Sequence, residues 1–348
     1  MTNSPKDSFI VDRADVQTDR DEILRLWKLG FPSVNQFEEK YDWFYKKNPA
    51  GMPYLYLLKK GSSNVGIEGI GPKKWLLDGE NIKSGLFTDL VVDPAFRSLG
   101  PALRLIKESA QQSFCDIPLL YGFPNPKSLP VYKHGGFEML GMINRYALPL
   151  QYAPYIQRHS KLIAQLFGGI IDFSYKLIKT VINKKLCRSL SYSDSNQIGV
   201  DFDSLWNLRK QDAHCMGQRD KEFLLWRFEN NPLDSCELYV INSRTSGVLQ
   251  GYIFYKINAE GNVIIMDFLA SDNGDNLLGL FSLFCQKMRE AGYKSVSVEF
   301  FGEESVINII KKSGFKFRDA QPIICVSKSE KPVSHCPGDW YITSADRD

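Results

Sequence analysis

The chain has 348 residues, which is too long for one ordinary hydrophobic core and favours two domains. With 43% hydrophobic and 24% charged residues it has the composition of a soluble globular protein, and a formal net charge of +3 is too balanced to predict nucleic-acid binding. Seven scattered cysteines without a CxxC pair argue against a disulfide framework and against a metal site. Together with a polar N-terminal sequence unlike a signal peptide, they predict a cytoplasmic protein.

The first 150 residues predict two helices and an antiparallel meander of three strands, then a helix, a strand, a short helix and two strands. The second helix ends before Pro49, because proline disfavours helix at the preceding residue. The predicted helices cover 20–30, 36–47, the segment through Leu103, Ile106 and Ala110, and 128–136. The predicted strands cover 54–59, 65–77, 83–92, 117–123, 137–142 and 144–149.

A sequence pattern from the first half returns in the second half. Trp43 and Pro49 are six residues apart, as are Trp226 and Pro232, and each proline follows an asparagine. A tyrosine follows each proline by seven residues. We interpret this as an internal duplication of about 120 residues per copy. The predicted divisions are copy one at 1–150, a linker at 151–194, copy two at 195–330 and a tail at 331–348.

The linker is predicted to be basic and helical. Its apolar residues recur in pairs at helical spacing, and the seven basic residues between 158 and 188 accompany a single acid, Asp172. One or two amphipathic helices packed on the domains explain this pattern, and a weak contact of 151–190 with an anionic membrane surface is the alternative. The most apolar stretch, 162–178, is short and interrupted by polar residues, so we expect no transmembrane segment.

A candidate phosphate-binding loop follows the strand that ends near Val92. Arg97 and Gly100 precede a predicted helix, in which Pro101 is expected at the first position, where its missing N–H costs least. A helix N-terminus attracts anions through its free N–H groups and its dipole. Glycine lets the backbone approach a bulky ligand closely. A plain turn is the alternative explanation of the same residues.

The wider context resembles the GNAT (Gcn5-related N-acetyltransferase) superfamily. Arg97, Gly100 and Ala102 match its acyl-CoA-binding signature R/Q-x-x-G-x-G/A, after Val92 and Pro94. A second family element, N-x6-Y-x3-G-F, follows at the expected distance. Its residues are Asn125, Tyr132, Gly136 and Phe137. The resemblance covers about 15–150 closely and 195–328 by duplication.

The resemblance implies an α+β fold, a mixed and mostly antiparallel sheet flanked by helices, present as two tandem domains joined by the helical linker. Acyl-CoA would lie where the strands ending near Val92 and Phe123 splay apart. Pro101 departs from the pattern and removes one N–H, which implies weaker or differently angled pyrophosphate binding. The implied donor-binding residues are Leu90, Val91, Val92, Arg97, Ser98, Leu99, Gly100, Ala102 and Asn125.

The implied chemistry is direct attack of an amine on a thioester. Tyr132 matches the family's general acid, which protonates the leaving thiolate, and a packing tyrosine is the alternative. Glu68 is the candidate general base, with a water relay as its alternative. Strand alternation predicts that only one of Thr88 and Asp89 faces the cleft. Asn125 is as well suited to capping the following helix as to contacting substrate.

Copy two is predicted to keep the scaffold and to lose the chemistry. Acids at Asp272 and Asp275 would repel phosphate near its helix. It would then wall an acceptor cleft between the domains, or only stabilise copy one. The replacements are Asn276 for Arg97, Ile310 for Tyr132 and Glu303 for Asn125.

The resulting hypothesis is an acyl-CoA-dependent N-acyltransferase that moves acetyl from acetyl-CoA to a primary amine. A looser similarity of the segments RSLGPAL and GDWYITSADRD to GNAT proteins of bacterial surface-polysaccharide synthesis suggests an amino sugar as this small-molecule acceptor. One alternative is a catalytically silent module that binds CoA or acts as a scaffold. A Fem-like aminoacyltransferase is another, against which the intact Arg97 motif argues.

Overall fold

The computed structural model describes residues 8–151, 189–193, 197–328 and 337–348. Fourteen strands in this part of the chain form one mixed sheet, and helices cover it. The fold is therefore α+β, as predicted. No helix among the described residues is long and apolar enough to cross a lipid bilayer.

Copy one contributes six strands and four helices to the described structure. Its strands are β1 (Phe9–Arg13), β2 (Tyr54–Lys60), β3 (Ser63–Leu77), β4 (Glu80–Val92), β5 (Leu119–Gly122) and β6 (Glu138–Pro149). Its helices are α1 (Arg20–Gly30), α2 (Phe37–Lys40, continued as a π-helix over Tyr41–Lys46), α3 (Leu99–Ser113) and α4 (Leu129–His134).

The second half and the tail supply the other eight strands. These are β7 (Leu190–Ser193), β8 (Cys215–Gly217), β9 (Glu237–Ser243), β10 (Leu249–Ile257), β11 (Asn262–Ala270), β12 (Ser295–Gly302), β13 (Lys316–Ser327) and β14 (Trp340–Ile342). The helices are α5 (Asp201–Arg209), α6 (Lys221–Leu224, continued as a π-helix over Leu225–Glu229), α7 (Asp275–Glu290) and α8 (Glu304–Lys312).

One predicted element boundary is wrong. The last two strands predicted for copy one, 137–142 and 144–149, are one continuous strand, β6. Its partner β13 is equally long, and an antiparallel ladder with that strand runs along most of β6. The predicted helical linker lies outside the described residues except near its end, where β7 forms a strand that pairs with β9.

The two copies exchange their last strands. The last strand of copy one, β6, pairs with β12 of copy two, and the last strand of copy two, β13, pairs with β5 of copy one. The two exchanged strands also pair with each other in the middle of the sheet. Each copy therefore completes its sheet with a strand from the other.

A pseudo-twofold contact joins the equivalent π-helices. The rings of Trp43 and Trp226 stack with centroids 5.1 Å apart. The indole Nε1 of Trp43 donates to the carbonyl of Trp226 at 2.8 Å, and Trp226 Nε1 donates to the carbonyl of Trp43 at 3.1 Å. The repeated tryptophan of the sequence pattern is therefore one of the residues with which each copy contacts the other.

Candidate active site

Strands β4 and β5 run in parallel and then separate, as the resemblance implies. Their pairing extends from Ser84 and Leu119 to Phe87 and Gly122. Beyond these residues the two strands enclose a cleft of about 190 Å³. Side chains of β4, the residues after β5 and Tyr132 of α4 line it.

A bulge in β4 shapes this cleft. Ile67 pairs with Val91 and Gly69 with Thr88, so that Glu68 on β3 lies opposite two residues of β4, Asp89 and Leu90. Asp89 has a φ of 60°, in the left-handed region that few residues other than glycine, asparagine and aspartate adopt.

The bulge overturns the prediction that only one of Thr88 and Asp89 faces the cleft. Both residues line it, because the extra residue interrupts the alternation of side chains along the strand. The Thr88 hydroxyl donates to Asp348 Oδ2 at 2.7 Å, and Asp89 Oδ1 accepts from Lys40 at 2.7 Å.

The N-terminus of α3 is exposed beside the cleft. The helix begins at Leu99, so Pro101 is its third residue rather than its first. The N–H groups of Ser98, Leu99 and Gly100 belong to the end of the helix that has no intrahelical acceptor. A Cβ built on Gly100 would meet nothing within 4 Å, and residues 98–100 are exposed, so the surface at the start of the helix is open. Pro101 adds no donor here, and a phosphate would use the three preceding amides.

Arg97 holds the loop that leads into this helix. Its Nη2 donates to the carbonyl of Val92 at 3.3 Å while the residue remains exposed. Val91 and Val92 are buried and pair with β3, so their side chains are not exposed to a ligand. Leu90 lines the cleft, and Ala102 lies half-buried in the first turns of α3.

Tyr132 and Glu68 form a buried pair in the wall of the cleft. The Tyr132 hydroxyl donates to Glu68 Oε1 at 3.1 Å, and Glu68 Oε2 has no hydrogen-bond partner among the described residues. Burial raises the pKa of Glu68 well above its usual range, and the bond from Tyr132 opposes this only in part. Burial and then the charge of Glu68 raise the pKa of Tyr132, so the phenol keeps its proton at neutral pH.

Asn125 lies at the rim of the cleft and caps a turn. Its side-chain Oδ1 accepts from the N–H groups of Lys127 and Ser128 at 2.9 and 3.0 Å. Its carbonyl accepts from Ser128 and Leu129, which lead into α4. Asn125 therefore positions the helix that carries Tyr132, and its side chain also contributes to the cleft lining.

Sequence reasoning missed three residues of the site. Lys40 donates to Asp89 Oδ1 and to Asp348 Oδ2 at 2.7 and 2.9 Å, and Tyr45 donates to Asp89 Oδ2 at 2.6 Å. Lys40 and Tyr45 lie five residues apart, a spacing that shares a face only in the π-helix that α2 becomes. No pattern in the sequence connects Asp348 of the tail to this cleft.

The corresponding splay of copy two is filled. Strands β11 and β12 separate after Ile265 and Val298, and β14 of the tail pairs with β12 beyond that point. The Tyr341 hydroxyl donates to the carbonyl of Phe268 on β11 at 2.6 Å. The tail therefore lies between the two strands that would hold a ligand.

The helix N-terminus of copy two is also occupied. Asp272 Oδ1 accepts from the N–H groups of Gly274 and Asn276 at 2.8 and 3.1 Å, at the start of α7. A carboxylate of the chain thus lies where a phosphate would bind. Among the described residues no group of three histidine, cysteine or acidic side chains could hold a metal ion.

No protein-family model matches the sequence, and no curated protein matches it with significance. Solved structures do match. A GCN5-related N-acetyltransferase from Anabaena variabilis is 17% identical over 91% of this chain and 72% of its own, with a TM-score of 0.63. N-myristoyltransferase of Saccharomyces cerevisiae with bound myristoyl-CoA is 13% identical over 93% of this chain and 83% of its own, with a TM-score of 0.55.

A tandem GNAT protein of the clavulanic acid biosynthesis pathway is similar along almost its whole length. It is 11% identical over 92% of this chain and 98% of its own, with a TM-score of 0.52. These identities establish a fold rather than a substrate. The chain has the GNAT superfamily fold, in a tandem arrangement.

Proposed function

We propose that the chain is an acyl-CoA-dependent N-acyltransferase that transfers acetyl from acetyl-CoA to a primary amine. One observation carries the proposal. The exposed N-terminus of α3 follows β4, the strand that forms one side of the cleft, and a buried, protonated phenol, Tyr132, lies in the cleft wall. The helix N-terminus suits a diphosphate, and the phenol suits a leaving thiolate.

The donor would enter between β4 and β5 with its diphosphate on the amides of 98–100. The exposed Arg97 would add positive charge at this end. The cleft volume of about 190 Å³ is below the ~300–1,000 Å³ typical of whole small-molecule sites, which suits the thioester end of a larger donor. This size favours a short acyl group, and acetyl is the shortest in common use.

The reaction would proceed by direct attack. The lone pair of a neutral amine forms a C–N bond at the thioester carbonyl carbon, and the C–S bond breaks. The leaving thiolate takes the proton of Tyr132, while the nitrogen of the product loses one proton. Holding both reactants in one cleft supplies much of the rate enhancement.

Glu68 would act through Tyr132. It is fully buried, and its hydrogen bond joins it to that phenol rather than to the cleft surface. A proton lost by the amine can return to Tyr132 by way of Glu68 or by way of a water molecule, and these remain the two candidates for the base. An amino sugar is the proposed acceptor, and a silent CoA-binding module is the second candidate function. The bonds from Arg97 to the carbonyl of Val92 favour the module, because they occupy guanidinium N–H groups that the donor would otherwise use.

The test is release of thiol from acetyl-CoA in the presence of amino sugars, polyamines and amino acids. We expect Tyr132→Phe to lower kcat about 10²- to 10⁴-fold, and Arg97→Ala chiefly to raise the KM for acetyl-CoA. Tyr54→Phe is the matched control, because it removes a tyrosine hydroxyl that binds Asp116 outside the cleft. Unchanged turnover in both site variants would contradict the site, and acetyl-CoA binding without turnover on any amine would favour the silent module.

A further inference from the structure

The acidic side chains that line the cleft lie together on one wall. The charged side chains that line the cleft are Asp89 and Asp348, and none of the described lining residues is basic. Arg97 and the amides of α3 lie on the loop after β4, where the donor's diphosphate is proposed to bind. The two acids therefore belong to the part of the cleft left for the acceptor.

A single cation neutralises these two acids only in part. Lys40 lies behind them, 2.7 Å from Asp89 Oδ1 and 2.9 Å from Asp348 Oδ2. In this group two carboxylates share one bonded ammonium, which leaves an excess of negative charge among the three. The Asp89 side chain is 9% exposed and that of Asp348 is 40% exposed, so Asp348 presents the more accessible carboxylate.

Hydrogen bonds fix both carboxylates in place. Tyr45 binds Asp89 Oδ2, and Thr88 binds Asp348 Oδ2. Burial raises the pKa of Asp348, but the charge of Lys40 and the bond from Thr88 outweigh it and hold that pKa below its usual range. Asp348 is therefore ionised at neutral pH. Glu68 lies behind Tyr132 in the same wall region, and its Oε2 lacks a hydrogen-bond donor.

We infer that the acceptor is a cationic amine without a carboxylate next to its reacting nitrogen, and that Asp89 and Asp348 select it. This inference rests on the proposed function. An ammonium group would satisfy the wall as Lys40 does from behind, whereas the carboxylate of an amino acid would meet two like charges. The bound ammonium releases a proton to solvent before its nitrogen attacks.

The test measures binding rather than turnover, so that it does not depend on the proposed activity. Glycinamide and glycine have nearly the same size, but only glycine carries a carboxylate beside its ammonium group. We expect ligand-observed NMR titrations of the full chain with CoA present to give about tenfold tighter binding of glycinamide. We expect Asp348→Asn to bring the two dissociation constants to within about threefold of each other.

Asp12→Asn is the matched control. It removes one exposed acid that pairs with Lys59 on β2, away from the cleft, and should keep the preference for glycinamide. Asp89→Asn is the second site variant, because asparagine also tolerates the left-handed backbone. Equal binding of both amines, no binding of glycinamide, or a preference that Asp348→Asn leaves intact would each overturn the inference. Binding as expected without thiol release would instead overturn the proposed activity.

Discussion

The two copies share a sheet, and in each copy two parallel strands separate, but the gap between them is open in copy one and filled in copy two. In copy one, β4 and β5 separate around an open cleft, and the residues at the start of α3 are exposed. In copy two, the tail fills the gap between β11 and β12, and Asp272 occupies the amides of α7. The separation of two strands can therefore persist in this fold without a ligand site, because another segment of the chain fills the gap.

The conserved acid of the duplication shows the same contrast. Asp89 of copy one and Asp267 of copy two are equivalent, and each pairs with a cation and a tyrosine. Asp267 is fully buried against Arg219, whereas Asp89 lines the open cleft. The same position therefore holds a buried structural acid in copy two, Asp267, and an acid that lines a cleft in copy one, Asp89.

Removing the contacts that hold the tail between β11 and β12 should have the largest effect on stability. Arg219 is fully buried and binds Asp267 at 3.1 Å and Asp346 of the tail at 2.7 Å. Arg219→Ala leaves both acids buried without their cation, and we expect a loss of about 3–5 kcal/mol in the free energy of unfolding. Urea denaturation measures it.

Arg145→Ala is the control for that variant, since it removes an exposed arginine that pairs with Asp319. We expect it to cost about 0–1 kcal/mol. A loss for Arg219→Ala as small as that of the control would show that the tail is held in the splay by other contacts.

The contact between the copies should show an intermediate effect that depends on pH. Lys73 of copy one is buried among the rings of Phe44, Phe223 and Trp226, at 5.4–5.9 Å from their centroids, and its Nζ has no hydrogen-bond partner among the described residues. Burial first, and then the charge of Arg227, lower the pKa of Lys73 to about 7.

The sign of the pH effect follows from this value. Between about pH 7 and the ordinary lysine value of 10.5, the unfolded chain binds a proton that the folded chain lacks, so stability rises with pH in this window. We expect Lys73→Met to stabilise the protein at pH 7–8 and to remove up to about 1.4 kcal/mol of this rise per pH unit. Lys74→Met alters an exposed neighbour and should match the wild type. Parallel stability curves for wild type and Lys73→Met across this window would contradict the prediction.

The smallest effect concerns the occupied amides of copy two. Asp272→Ala removes the carboxylate from the start of α7 and exposes the N–H groups of Gly274 and Asn276. We expect a loss of about 1 kcal/mol in stability, as for other helix caps, measured by thermal unfolding. Asp12→Asn serves again as the exposed control. No loss in Asp272→Ala would mean that these amides are satisfied equally well by solvent.

Much of the fold could be predicted from the sequence because it depends on local signals. The repeated tryptophan and proline marked the two copies, and the turn signals between the strands placed β2 to β4 to within three residues. The arginine before α3, the glycine in its first turn and the tyrosine of α4 pointed to one cleft. Each of these signals involves residues close together in the chain.

The rest depended on contacts between distant residues. Nothing local indicates that β13 of copy two pairs with β5 of copy one. The bulge at Asp89 could not be predicted, since it depends on the pairing of β3 and β4 around Glu68. Asp348 joins the cleft from the tail, 260 positions after Thr88, and a π-helix rather than an α-helix brings Lys40 and Tyr45 together.

The strand exchange has a consequence for the order in which the protein can be made. Residues 1–150 emerge from the ribosome long before β13, at Lys316–Ser327, has been synthesised. Until then β5 has an unpaired edge, and β6 has neither of its neighbours, both of which come from copy two. Open strand edges are where nascent chains associate with one another. The edges of β5 and β6 must therefore be kept from pairing with other chains until β13 has been synthesised.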